Sequence, residues 1–327
     1  YALRTRWRLL HCWSKAELLP PRLPGSPDSV DSWLKDRDLK EAPIQPGSES
    51  EIVWGKLPGS KTELCVVYLH GWSASPPEVS PVCERVAAAL EANLLRFRYT
   101  AHGLSPMERG GNALLTEQSH EVLRHNAATA LALGGVLGKR VVLVGCSTGG
   151  ALSLWLSAQQ WIDSKLMALV LLSPGIRLTM NRAVWEFLSW LLLLLPKFVS
   201  ILILQFVNGG QTKRQRSLAP GMRGEAQAKC WTRAYPVGAV LHVIGLFVIC
   251  GHLAFEKISV PVLAFANPAD PGASFEATRQ TLPRIPLGEL EVIRDSENAH
   301  VITGSIMSPS TVEHVVRRSV EFLKRAM

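Results

Sequence analysis

The chain has 327 residues, of which 47% are hydrophobic and 19% are charged. These values exclude an intrinsically disordered protein, and the length suffices for one large α/β domain with an inserted sub-domain. The formal net charge is +8, but no helix-turn-helix, zinc or RNP-type pattern accompanies it, so the sequence predicts no nucleic-acid partner.

Residues 1–50 precede the first regular pattern of the chain. They comprise a basic, tryptophan-containing start, a proline-rich stretch and a charged stretch that ends at residue 41. We expect these residues to form an irregular N-terminal arm that packs on the protein or attaches it to a surface.

From residue 51 onward, short apolar runs alternate with longer helical stretches, which is typical of a sheet built from βα units. Most of the runs are continuously apolar, as expected for strands buried on both faces. The predicted strands are residues 51–54, 64–69, 93–99, 140–144, 166–172, 260–266 and 289–293. The predicted helices are residues 78–92, 113–137, 149–160 and 310–324. The sequence therefore predicts an α/β fold with a mostly parallel central sheet flanked by helices.

The segment RVVLVGCSTGG, residues 140–150, places a serine between a buried strand and a helix of small residues. Gly145, Ser147 and Gly149 match the Gly-x-Ser-x-Gly nucleophile elbow, in which the serine lies on a strained turn and larger flanking side chains would collide with the backbone. The turn presents the hydroxyl at a helix N-terminus, where the dipole favours developing negative charge. A phosphate-binding loop is the alternative, but no GxGxxG pattern fits and no P-loop lysine follows. Ser147 is the candidate nucleophile.

A second glycine-containing loop, with His70, Gly71 and Trp72, follows an earlier predicted strand. A tetrahedral intermediate needs two backbone N–H donors aimed at its oxyanion. We expect one donor from Thr148, directly after the candidate nucleophile, and the other from Trp72. His70 and Gly71 are expected to shape the loop, because a catalytic base this early would have the wrong chain order relative to Ser147.

The candidate acid and base lie in the loops that follow the last two predicted strands. Asp270 is the only acid in the turn-rich loop after the first of these strands, and His300 lies just before the C-terminal helix. Chemistry at the serine needs a histidine that accepts its proton and a buried carboxylate that orients this histidine. Asp295 and Glu297 lie too near His300 in sequence for the usual orienting role, although either could replace a displaced Asp270.

These motifs together resemble the α/β-hydrolase superfamily, and within it the serine hydrolases of the lysophospholipase, monoacylglycerol lipase and carboxylesterase type. The resemblance extends from about residue 51 to the C-terminus, and it rests on the segments 70–72 (HGW), 101–103 (AHG), 145–149 (GCSTG), 267–270 (NPAD) and 298–300 (NAH). It implies acyl transfer to water through a covalent acyl-serine, without a metal or organic cofactor. The loop before His102 lacks the common Asp-x-x-Gly form, which leaves the details of the substrate open.

The interval 178–257 interrupts the alternation, and its segment 184–207 carries only two charged residues. That segment is long enough to span a membrane, but a single crossing would separate Ser147 from Asp270. Pro196 predicts two short helices with a bend instead. We expect a hydrophobic helical cap, or lid domain, that faces an acyl-binding pocket. The predicted domains are residues 1–50 (arm), 51–177 with 258–327 (core) and 178–257 (cap).

The segment 211–233 holds six basic residues against the single acid Glu225. Together with the apolar segment 184–207, it predicts peripheral contact with a lipid surface, and an ordinary solvated face is the alternative. The six cysteines show neither paired nor metal-type spacing, which favours a reducing compartment. We expect a cytoplasmic or peripheral-membrane location.

Two functions of different classes fit these observations. The first is serine-dependent hydrolysis of carboxylic esters, and the leucine-rich interval favours lipid-like esters such as monoacylglycerols or lysophospholipids. The second is a catalytically idle hydrolase fold that binds a ligand or a membrane. Thioester hydrolysis and other serine-triad reactions depend on details of the pocket, whereas a dehalogenase would need a carboxylate in place of Ser147.

Overall fold

The computed structural model describes Leu19 and residues 22–41, 43–159, 165–215 and 222–327. The nine strands in this part of the chain are β1 (Glu51–Val53), β2 (Thr62–Leu69), β3 (Asn93–Phe97), β4 (Gly138–Cys146), β5 (Leu166–Leu172), β6 (Lys213–Gln215), β7 (Ala234–Pro236), β8 (Val262–Ala266) and β9 (Gly288–Val292). Seven of them form one sheet in the order β1-β3-β2-β4-β5-β8-β9, and β6 and β7 form a separate two-stranded antiparallel sheet. In the large sheet all neighbours are parallel except β1 and β3.

The α-helices cover both faces of the large sheet. Those described are α1 (Pro27–Glu41), α2 (Val82–Ala89), α3 (Met107–Thr116), α4 (His120–Leu137), α5 (Thr148–Ser157), α6 (Arg182–Leu194), α7 (Lys197–Val207), α8 (Met222–Cys230), α9 (Val240–Gly251), α10 (Phe275–Thr281) and α11 (Val312–Ala326). Successive residues of β4 point to opposite faces, so Val141 and Leu143 join the core under α4 and α5, while Val142 and Val144 join the core under α2 and α11. The carboxyl ends of the parallel strands therefore meet at one edge of the sheet, between two packed layers of helices.

All seven predicted strands are present in the large sheet, with ends displaced by at most two residues. The mostly parallel α/β architecture is confirmed. Two helix predictions are wrong in part because each covers a break in the chain. The predicted helix 78–92 is a short 3₁₀ turn, Pro76–Val79, followed by α2. The predicted helix 113–137 is α3 and α4, and the hydroxyl of Ser119 caps α4 by accepting the N–H of Val122 at 3.1 Å.

The expectation of an irregular N-terminal arm is wrong for residues 27–41, which form α1. Val30, Leu34 and Asp38 recur every four residues and lie buried on one face of this helix, while charged side chains fill the other faces. The Asp38 carboxylate accepts a hydrogen bond at 2.9 Å from the fully buried guanidinium of Arg98, just after β3. The first residues of the predicted arm, 1–18, lie outside the described part of the chain.

The interval 178–257 contains α6 to α9 and the two-stranded sheet of β6 and β7. Pro196 separates α6 from α7, as its position in the sequence predicts. Helix α9 packs against α5, and its Ile244 and Leu246 belong to the same buried cluster as the strands. Across the described ranges, every helix is too short or too polar to cross a membrane.

Candidate active site

The nucleophile-elbow pattern lies in the turn between β4 and α5. Ser147 has φ +51° and ψ −108° there, a backbone conformation that residues other than glycine rarely adopt. A Cβ atom on Gly149 would lie 1.8 Å from the carbonyl oxygen of Leu69, and one on Gly145 would lie 2.5 Å from the carbonyl oxygen of Gly149. Both positions therefore require glycine, because the turn is packed directly against neighbouring backbone.

Ser147, Asp270 and His300 meet at the carboxyl edge of the sheet, although they are far apart in sequence. His300 Nε2 lies 3.0 Å from Ser147 Oγ. His300 Nδ1 lies 2.8 Å from Asp270 Oδ2 and 2.9 Å from Asp270 Oδ1. Ser147 and Asp270 are buried, whereas the His300 side chain is 24% exposed. This arrangement can pass a proton from the hydroxyl to the imidazole while the carboxylate supports the resulting positive charge.

The loop after β8 fixes the Asp270 carboxylate through backbone donors. Asn267 Oδ1 accepts the N–H of Ala269 at 2.8 Å, which closes the turn. Asp270 Oδ1 accepts the N–H groups of Gly272 at 2.7 Å and Ala273 at 2.9 Å. Both amides bind Oδ1, and Oδ2 is the oxygen nearer to the imidazole, so the loop itself sets the orientation of the carboxylate.

The loop after β9 places His300 by a second side-chain cap. Asn298 Oδ1 accepts the backbone N–H groups of His300 at 3.0 Å and Val301 at 2.7 Å. The neighbouring Glu297 carboxylate faces elsewhere, because it accepts the hydroxyl of Ser310 at 2.9 Å. Asp270 is therefore the acid that lies against the imidazole.

The loop after β2 is shaped by a buried histidine. His70 Nε2 accepts the backbone N–H of Tyr99 at 3.2 Å, so the proton of the neutral ring is on Nδ1, which donates to the Gly71 carbonyl oxygen at 2.9 Å. Burial holds the pKa of His70 well below its usual value, and burial lowers the pKa of the neighbouring His102 to about 4. Both rings are neutral near pH 7, and neither ring nitrogen of His70 is available to Ser147.

A cavity of about 700 Å³ opens at Ser147 and His300. Trp72 and Thr148, the two expected oxyanion donors, line the same cavity. Its apolar lining residues include Leu178, Met180, Val240, Val243 and Phe247. The last three belong to α9, and no described side chain of α6 or α7 takes part. Of the interval 178–257, α9 therefore faces the pocket, and α6 and α7 lie on its outer side because α9 packs on α5.

Residues 66–304 match the model of the alpha/beta hydrolase family. The chain belongs to the α/β-hydrolase family. No curated protein matches it by sequence.

Solved structures share this fold at low sequence identity. A metagenome-derived lipolytic enzyme from the study of LipS and LipT is 17% identical with a TM-score of 0.64, covering 86% of this chain and 99% of that chain. The monoacylglycerol lipase of Paleococcus ferrophilus is 17% identical with a TM-score of 0.57, covering 85% and 98%. The monoglyceride lipase of Saccharomyces cerevisiae is 12% identical with a TM-score of 0.52, covering 86% and 93%. Likeness at this level establishes the α/β-hydrolase fold.

Glu78 is a residue of the site that the sequence did not reveal. Its carboxylate is buried, lines the cavity, and accepts the backbone N–H of Gly71 at 2.6 Å and the hydroxyl of Tyr68 at 2.8 Å. Burial and this carboxylate raise the pKa of the Cys146 thiol, which directly precedes Ser147. Glu78 thus links the loop at Trp72 to the elbow. In the sequence it stands at the start of a predicted helix, where an acid is usually solvated.

We expect Glu78→Gln to lower kcat about tenfold with little change in KM, because the loop at Trp72 loses the charged acceptor of its Gly71 N–H. Steady-state kinetics on a soluble ester provides the measurement. The matched control is Glu84→Gln. Glu84 lies on α2, forms an ion pair with Arg96 of β3, and does not line the cavity. Equal losses of kcat in the two variants would contradict a role for Glu78 at the site.

Proposed function

We propose that this α/β-hydrolase cleaves carboxylic esters, preferably lipid-like acyl esters, through an acyl-serine intermediate. The observation that carries the proposal is the hydrogen-bonded chain Ser147–His300–Asp270 at the wall of a largely apolar cavity. A buried Ser-His-Asp chain on a strained elbow is the arrangement that activates a serine hydroxyl for acyl transfer.

In the proposed reaction, His300 Nε2 takes the proton of Ser147 as Oγ attacks the carbonyl carbon of the ester. Asp270 supports the imidazolium, and the backbone N–H groups of Trp72 and Thr148 stabilise the oxyanion. The imidazolium then gives its proton to the leaving alcohol as the ester C–O bond breaks. Water, deprotonated by His300, attacks the acyl-serine; the acid leaves, and the proton returns to Ser147.

The proposed acyl site is the apolar wall formed by α9. Val240, Val243 and Phe247 line it, and Leu178 and Met180 extend it. We propose that residues 178–257 act as a cap, with α9 over the site and α6 and α7 outside. The lipolytic and monoacylglycerol lipase activities named for the similar structures support a lipid-like ester as substrate.

The preference for long acyl chains is tested with p-nitrophenyl esters of increasing length. We expect kcat/KM for the octanoate to exceed that for the acetate at least tenfold, because each buried CH₂ group contributes about 0.8 kcal/mol. Val240→Trp should reduce this advantage, because the larger side chain narrows the pocket for the acyl chain. Val184→Trp, on the exposed side of α6, should leave it unchanged. A strong preference for acetate would contradict the lipid-like substrate.

We further propose that the outer face of α6 and α7 contacts an anionic lipid surface. Phe187 and Phe198 are each 67% exposed and Phe206 is 86% exposed, whereas phenylalanine is usually buried in folded proteins. Arg182 and Lys197 lie on the same two helices, and the basic segment 211–233 follows them. Exposed rings beside basic side chains fit the boundary between acyl chains and anionic head groups.

Vesicle co-sedimentation tests this contact. We expect the protein to pellet with phosphatidylcholine vesicles that contain phosphatidylserine, and Phe198→Asp with Phe206→Asp to weaken this binding at least tenfold. Leu39→Asp is the control, because Leu39 is 71% exposed but lies on α1. Binding that is absent in the wild type, or lost equally in the control, would contradict the proposal.

A further inference from the structure

The cavity at Ser147 carries a guanidinium on its wall. Arg214 of β6 lines the cavity together with Gln215, whereas the adjacent Lys213 does not. Exposed basic side chains are common on protein surfaces, but a few polar or charged groups on the wall of a substrate cavity determine which substrates bind there.

The backbone of Arg214 is held at a fixed place relative to the loop at Trp72. Arg214 pairs with Tyr235 in the two-stranded sheet of β6 and β7. The ring of Tyr235 is buried and packs edge-on against the Trp72 indole, with their centroids 6.2 Å apart. Just before β7, the N–H of Thr232 donates to the Ser73 carbonyl oxygen at 2.7 Å. The sheet of β6 and β7 is therefore attached to the loop that is expected to bind the oxyanion.

The charge of Arg214 is not neutralised by the protein around it. Among the residues that the structure describes, no carboxylate lies within ion-pair distance of its guanidinium. Glu78 is the one acid among the described lining residues, and its carboxylate is engaged by the Gly71 N–H and the Tyr68 hydroxyl. In the sequence, the segment 211–233 that contains Arg214 holds six basic residues and one acid, so its net charge is positive.

We propose that Arg214 binds a phosphate on the alcohol part of the substrate ester, so that phosphate-bearing acyl esters are cleaved in preference to neutral ones. The proposal rests on the ester hydrolysis proposed above. The hydrocarbon of the acyl part fits the wall of Val240, Val243 and Phe247, which leaves the alcohol part for the guanidinium. A guanidinium donates two parallel hydrogen bonds to a phosphate, and the Gln215 amide beside it offers further donors.

The test compares monooctanoylglycerol with monooctanoylglycerol phosphate, which carries one phosphate on a glycerol hydroxyl. Both substrates are used below their micelle-forming concentrations. We expect wild-type kcat/KM to be about tenfold higher for the phosphate ester, and this advantage to fall as salt is added. Arg214→Gln should remove the advantage and leave kcat/KM for the neutral ester within about twofold. Arg214→Lys should retain part of it, because an ammonium keeps the charge without the planar fork.

Lys213→Gln is the matched control, since it removes one positive charge from the position of β6 that directly precedes Arg214. Retention of the phosphate preference in this variant supports a direct contact by Arg214. Equal losses in Lys213→Gln and Arg214→Gln, or a wild type that cleaves the neutral ester as well as the phosphate ester, would overturn the proposal and leave ester hydrolysis intact. Failure to cleave either substrate or any p-nitrophenyl ester would overturn the ester hydrolysis and this inference with it.

Discussion

Replacing Ser147 or His300 by alanine is expected to lower kcat for ester hydrolysis by roughly 10⁵- to 10⁶-fold, and the double variant is expected to lose no more than either single variant. The two side chains form one proton-transfer unit, with 3.0 Å between His300 Nε2 and Ser147 Oγ, so the removal of either disables both. Turnover of p-nitrophenyl octanoate by the wild type and the three variants provides the measurement.

The folded state of these variants is checked by circular dichroism and thermal unfolding. Ser147 occupies its strained turn through backbone contacts, including an N–H that donates to the Leu172 carbonyl oxygen at 2.8 Å, and alanine retains them. We therefore expect cooperative unfolding in each variant. Losses of kcat that multiply in the double variant would mean that the two residues act independently, which would contradict the proposed mechanism.

Asp270→Asn is expected to lower kcat by about 10⁴-fold, because it stabilises the wrong tautomer of His300. The N–H groups of Gly272 and Ala273 both donate to Asp270 Oδ1, so in asparagine the carbonyl oxygen must take this place. The amide NH₂ then faces His300 Nδ1 and donates to it. The ring proton moves to Nε2, which can no longer accept the proton of Ser147. Single-turnover kinetics measures the loss in the acylation step.

Glu297→Gln is the control for Asp270→Asn, because the Glu297 carboxylate accepts the Ser310 hydroxyl and lies apart from the imidazole. We expect this variant to retain kcat within about threefold of the wild type, as for most substitutions away from reacting groups. A larger loss in Glu297→Gln than in Asp270→Asn would identify Glu297 as the orienting acid.

The sequence predicted most of the sheet and selected three side chains that lie together in the structure. Continuous apolar runs mark strands buried on both faces, and Gly145 and Gly149 mark a turn that permits no larger side chain. Chain order alone was enough to select Asp270 and His300, since each lies in the loop after a predicted strand. The first two features depend on residues that are close together in sequence, and the third depends only on the order of the loops along the chain.

Other features of the site depend on contacts between distant residues, which leave no local pattern. The buried carboxylate of Glu78 accepts hydrogen bonds from the Gly71 N–H and the Tyr68 hydroxyl, and nothing in its own segment indicates these contacts. The place of Arg214 in the cavity follows from the pairing of β6 with β7. The interval 178–257 was expected to face the pocket because of its hydrophobicity, but only the packing of α9 on α5 shows which of its helices lines the cavity.

Activation of Ser147 as a nucleophile by His300 can be tested without a known substrate, by labelling with a fluorophosphonate probe. The wild type should be labelled, and both Ser147→Ala and His300→Ala should lose the label while they remain folded. A folded wild type that fails to react would show that the hydrogen-bonded chain does not activate the serine, and labelling that persists in Ser147→Ala would place the nucleophile elsewhere.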